Sequence, residues 1–247
     1  MATMSTRQGE ALVLTTRVWG EGAVVASLLC AEHGLVRGLI KHATRLGAVL
    51  QPLNTVTYRH TRRLETQLGT LTAELAHSRA HVWMSGREAA LRVAYVADML
   101  SHILPEEHPY PHLCHTTENL VMGPLGWPAV AEFERAVLET VGYGLQLENP
   151  VPCPQGSPLA YVSPNSGRSV PQAVARGWEE RLLRLPHRWG GLPASAEDDF
   201  HASWQLTGTF LTRALHGKMA EPALASRTRL GAYYAHEHAQ SHHARAA

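Results

Sequence analysis

The stretch 35-LVRGLIKHATRLGAVLQPLN-54 decides how this chain is read. It opens as an apolar strand over residues 35–40. It then loses its apolar pattern in a short basic loop holding Lys41, His42 and Arg45. The apolar pattern returns at 49–53 and runs on, so residues 49–59 read as one further strand. Pro52 sits at the entrance or edge of that strand, where a missing N–H does least harm. A basic loop between strands of a small β-domain is a place for a phosphate backbone to lie.

Working outward, residues 10–17 (EALVLTTR) and 23–30 (AVVASLLC) read as strands on either side of the glycine-bounded turn 18-VWGEG-22. Glu32-His33-Gly34 is a tight turn leading into 35–40, and residues 67–76 (QLGTLTAELA) supply a fifth strand. Short strands joined by glycine turns suit a small closed barrel better than a sandwich, and a five-stranded barrel of the OB type is expected over residues 1–80.

At residue 81 the period changes. Trp83, Ala90, Leu91, Ala94, Tyr95 and Met99 recur at helical spacing, which predicts a helix over 82–104. Ser85 is its expected cap, with Glu88 as the capping-box partner. Further helices are predicted over 113–122, 129–141, 178–185, 197–218 and 222–240. Residues 145–171 hold six prolines and two glycines, which excludes a long helix. There 159–162 and 168–170 read as a hairpin around Asn165-Ser166-Gly167. The predicted fold class is therefore α+β: an N-terminal five-stranded OB-fold barrel, then an α-helical domain over 81–247 with a small β-hairpin insertion near 145–175.

Composition narrows the partners. The net charge is +1, with 45% apolar and 17% charged residues, which excludes a disordered chain. Residues 1–80 carry nine Lys/Arg against five acids, a net of +4, and the remainder is −3. A basic N-terminal module suits nucleic acid. Cys30, Cys114 and Cys153 are far apart and odd in number, which points to a reducing compartment. The N-terminus has no apolar signal region and the chain no transmembrane run, so a cytoplasmic protein with no membrane partner is expected.

Arg37, Lys41 and Arg45 are the first candidates for phosphate contacts. Arg59, Arg62 and Arg63 flank the turn between the fourth and fifth strands, a position OB-folds use for oligonucleotides. Arg17 is a weaker candidate. For each of these the plain alternative is solvated surface charge. Trp19, in a glycine turn, is a candidate stacking platform, and Tyr58 is either a second one or core. His108, His112, Cys114 and His115 have the look of metal ligands, but a chain with sixteen histidines produces such clusters by chance. Neither a GxSxG elbow nor a nucleotide-cradling glycine loop is present.

In this order the segments EALVLTTRVWGEGAVVASLLCAEHGLVRGLIK, LQPLN, LGTLTAEL, FERAVLETVGYGLQLENPVPC and LAYVSPNSGRSV resemble the bacterial recombination mediator RecO, of the alphaproteobacterial kind. The resemblance spans nearly the whole chain. It implies a non-enzymatic DNA repair and recombination mediator, with no cofactor, that binds single- and double-stranded DNA and anneals complementary strands. It further implies binding to the C-terminal tail of single-stranded DNA-binding protein, partnership with RecR, and indirect help in loading the RecA recombinase. Two departures stand out. Many relatives carry a four-cysteine zinc module in the insertion, whereas Cys153 is the one cysteine here, so no metal is expected and packing of Leu159, Tyr161 and Val162 should hold the hairpin. The stretch after Ile40 is also thinner in Lys and Arg than is usual in the family. That thinness keeps open a second reading, a protein–protein adaptor that binds the single-stranded DNA-binding protein tail with little direct DNA affinity. A hydrolase or metalloenzyme is the remote third reading.

Overall fold

Alternating apolar residues bend the first part of the chain into five strands. They are β1 (Ser5–Val18), β2 (Val24–Cys30), β3 (Gly34–Ile40), β4 (Thr55–Arg62) and β5 (Thr70–His77). In the computed structural model they close into a barrel of order β1-β2-β3-β5-β4, with β4 returning to β1 and β3 running parallel to β5. This is OB topology. The structure describes residues 5–64, 66–124, 126–153, 156–216 and 221–246, with side chains to residue 238.

Ala11, Val13, Ala26, Leu28, Val36, Ile40, Val56, Tyr58, Leu71 and Ala73 fill the barrel interior. The strand period of two turns their neighbours Leu12, Leu14, Leu29 and Leu35 outward, yet these are also buried. They lie beneath α2 (Arg87–Ile103) and α3 (Pro111–Met122), which pack on β1 and β2. The outer face of β4 and β5 is different: Thr57, Arg59, Thr70, Thr72 and Glu74 are exposed.

Two boundaries depart from the sequence reading. The predicted fourth strand over 49–59 begins only at Thr55. Residues 46–54 form a tight loop instead, with Leu53 in the left-handed region at φ 63°. The cause is Asn54, which is almost fully buried. Its amide donates to the Ala48 and Val49 carbonyls at 2.9 and 3.2 Å, and its side-chain oxygen accepts the Arg79 N–H at 2.8 Å. Such local side-chain bonds compete with a β-ladder. Ser85, expected as a cap, instead donates to the Val82 carbonyl at 2.6 Å and closes α1 (Ala80–Trp83), while Gly86 precedes α2.

The chain forms two compact units, residues 1–123 with 218–230, and 124–217 with 231–247. The second unit pairs α4 (Trp127–Thr140) with α6 (Ala196–Ala214). Pro128 opens α4, and Ser195 caps α6 by accepting the Asp198 N–H at 3.0 Å. The last helix, α7 (Glu221–Ala246), contributes to both units.

The predicted insertion hairpin is present as β6 (Leu159–Val162) and β7 (Ser169–Pro171), the latter followed by α5 (Gln172–Ala175). A third strand, β8 (Leu183–Arg184), joins β6 where a helix over 178–185 was expected; only a single 3-10 turn, Glu179–Arg181, forms there. Val162 is fully buried, while Leu159 and Tyr161 are half-buried. Polar contacts add to the packing: Arg168 donates to the Asn149 and Pro150 carbonyls at 2.9 and 2.8 Å, and Ser169 to that of Leu147 at 2.8 Å.

Candidate nucleic-acid interface

Strand register gathers part of the candidate set at one end of the barrel. Val18 pairs with Val24, and Val24 with Ile40, so the 19–23 turn lies beside the loop that begins at Lys41. The two are tied by the Ala43 N–H donating to the Gly22 carbonyl at 2.7 Å, and the turn is closed by the Trp19 N–H on the Ala23 carbonyl at 2.9 Å. Residues Ala43–Arg45 form one 3-10 turn that buries Ala43. His42 enters it at φ 57°. With Ala43 turned inward, Lys41 and Arg45 reach solvent. Arg17 is exposed at the end of β1, and Trp19 is 59% exposed. A basic loop and a free indole thus share one rim, the pairing that single-stranded nucleic acid requires.

The 63–69 loop borders the same strand from its other edge, with the Leu39 N–H donating to the Gly69 carbonyl at 3.0 Å. Arg63 and Leu64 are exposed on it. Arg59 projects from the exposed face of β4, between Gln8 of β1 and Thr72 of β5.

Arg37 and Arg62 stand elsewhere. They line a cavity of about 250 Å³ together with Arg7, residues 66–68 and two carboxylates, Glu106 and Glu107. Arg37 donates to Glu106 at 2.7 Å, Arg7 to Glu107 at 2.9 Å and Arg62 to Glu107 at 2.8 Å. The Arg62 side chain is only 5% exposed. The hydrogen bond from Arg62, with Arg7 behind it, holds the Glu107 carboxyl down at about 2 despite the opposing effect of burial. Glu107 keeps this position with a left-handed backbone at φ 64°. Sequence reasoning did not single out Arg7, Glu106 or Glu107. No local pattern could have done so, because Arg62 and Glu107 are 45 residues apart.

Tyr58 is core. Its hydroxyl lies 3.2 Å from His33 Nδ1, and burial, with Cys30 close by, pushes its phenol up. Of the cluster with the look of metal ligands, His108 packs edge-on to Tyr110, His115 bonds Asn119, and burial pushes the Cys114 thiol up to about 12. No group of three metal-ligating side chains converges among the described residues. No helix among them is long and apolar enough to cross a membrane.

Barrel topology defines the class: an OB-fold protein, with exposed basic and aromatic side chains on its loops. Comparison with known proteins narrows it. Residues 4–79 match the family described as recombination protein O N terminal, and residues 85–221 match recombination protein O C terminal. The DNA repair protein RecO of Paracoccus denitrificans is 38% identical over 229 residues, covering 90% of this chain and 93% of that one. Its counterpart in Ruegeria sp. is 34% identical over 88% and 91% of the two chains, and that of Methylobacterium nodulans 37% over 82% and 87%. The chain belongs to the RecO family, and its role lies in DNA repair and recombination. None of these descriptions names a catalytic activity.

Proposed function

We propose that this protein is a non-enzymatic recombination mediator that binds single- and double-stranded DNA through its barrel and anneals complementary strands. With RecR it helps load the RecA recombinase. The observation that carries the reading is the rim built by the tie between Ala43 and Gly22, where Trp19, Arg17, Lys41 and Arg45 are all exposed. Arg59 and Arg63 extend the basic surface along β4 and the 63–69 loop. In this reading residues 1–80 are the nucleic-acid module. Residues 81–247, with the insertion near 145–175, receive protein partners, including the C-terminal tail of single-stranded DNA-binding protein.

The test is fluorescence anisotropy of a labelled single-stranded oligonucleotide at two salt concentrations, without ATP. Micromolar or tighter binding that weakens steeply with salt is expected, because each phosphate contact on a single strand adds a slope of about 0.7. The adaptor reading draws on a specific observation, that Arg37 and Arg62 are already engaged by carboxylates. Negligible DNA binding at low salt, with retained binding of the acidic partner tail, would favour it.

A further inference from the structure

The arginine-lined cavity is built from three separate strands, with Arg7 on β1, Arg37 on β3 and Arg62 on β4. The three guanidiniums converge on carboxylates, and Arg37 also donates its second amino group to the Ser101 carbonyl at 2.5 Å. Their planar donors match phosphate as well as carboxylate. What faces them is an acidic corner, Glu106 and Glu107, on the connection between α2 and α3. Glu107 takes bonds from two of the arginines while its backbone holds a left-handed conformation, which costs a non-glycine residue energy that only its contacts offset. One wall of the cavity is the 66–68 segment, part of the loop that carries Arg63. The cavity therefore adjoins the surface assigned to the nucleic-acid strand.

We propose that this cavity is a masked phosphate site, in which Glu106 and Glu107 occupy Arg7, Arg37 and Arg62 in place of backbone phosphates of the bound strand. The acidic corner then acts as a built-in competitor that lowers affinity and salt dependence at the barrel. Arg7 and Arg37 are the accessible pair, with side chains 22% and 35% exposed, and Arg62 anchors the corner from beneath. The inference rests on the reading of the barrel as a DNA-binding module and adds its regulation.

The experiment compares wild-type protein with the E106Q/E107Q variant, using a labelled single-stranded oligonucleotide at several salt concentrations. Glutamine keeps the size of each side chain, removes the charge and turns one of the two acceptor oxygens into an amide donor that an arginine cannot bond. Binding tighter by about tenfold, with a salt slope steeper by about 1.4, is expected as Arg7 and Arg37 turn to phosphate. Adding R7A and R37A to that variant must return the slope to the wild-type value. Wild-type protein that binds with no gain in the variant overturns the masking while leaving the DNA-binding reading intact. Absence of binding in both overturns both. If the double variant fails to fold, E106Q alone decides, since its ion pair is partly exposed: a slope steeper by about 0.7 supports the proposal and an unchanged slope overturns it.

Discussion

At the loop end of the barrel, Arg17, Lys41 and Arg45 reach solvent and form no ion pair among the described residues. At the cavity, Arg7, Arg37 and Arg62 are each held by a carboxylate. All six lie on or next to strands of one barrel, and nothing in the sequence around Arg7, Arg37 and Arg62 shows that carboxylates engage them. What separates them is the fold. The 41–45 loop is closed by its own backbone and by the 19–23 turn, so its cations have nowhere to go but outward. The β3 and β4 arginines face a corner contributed from beyond α2. Exposed charge steers and binds a polyanion, whereas neutralised charge first has to lose its partner.

The most damaging way to break this contrast is at Gly34. It lies at φ +70°, and a Cβ there would stand 1.8 Å from the His108 carbonyl oxygen. Gly34→Ala must push the 105–108 corner off β3 and is expected to cost roughly 3 kcal/mol or more in chemical denaturation. The matching lesion at the loop end is Asn54→Ala. It strands the Arg79 N–H and two carbonyls of the 46–54 loop and should cost about 2–3 kcal/mol. Smaller again is the K41A/R45A double change, which leaves the fold intact. It should weaken single-strand binding by about tenfold and flatten the salt slope by about 1.4; an unchanged slope would remove the loop from the interface.

The gentlest probe is acid. Glu107 titrates near 2 instead of the ordinary 4.5, so its contribution to stability is complete above pH 4.5 and is lost as the pH falls toward 2. Wild-type protein should therefore lose more stability than E107Q across that window in pH-dependent unfolding, and parallel curves would show that the clamp contributes nothing.

The strands were legible because their apolar alternation is strong: residues 10–17 and 35–40 fall inside observed strands, and 23–30 overruns β2 by a single residue. The loop at 46–54 was not, because Val49 to Leu53 has the composition of a strand and is diverted by one buried side chain, Asn54. Strand β8 escaped for a related reason. Leu183 and Arg184 make a strand only because β6 offers them an edge. Trp19, Lys41 and Arg45 were legible as exposed loop residues through their glycine and basic neighbours. The engagement of Arg37 and Arg62 was not, since their partners lie 69 and 45 residues further on.

The outward leucines of the barrel carry a practical consequence for anyone wishing to isolate the barrel. Leu12, Leu14, Leu29 and Leu35 are buried at 6, 0, 1 and 0% exposure, under α2 and α3. A fragment cut after the last barrel strand would uncover them as one contiguous greasy face, large enough to drive self-association. It would also lose the 105–108 corner that seats on Gly34. A piece that runs through α3 to about residue 123 retains both halves of the arginine clamp, but the same compact unit also takes in residues 221–230 of α7, whose Ser226 hydroxyl donates to Asp98 of α2, so that part of the last helix has to be kept with it.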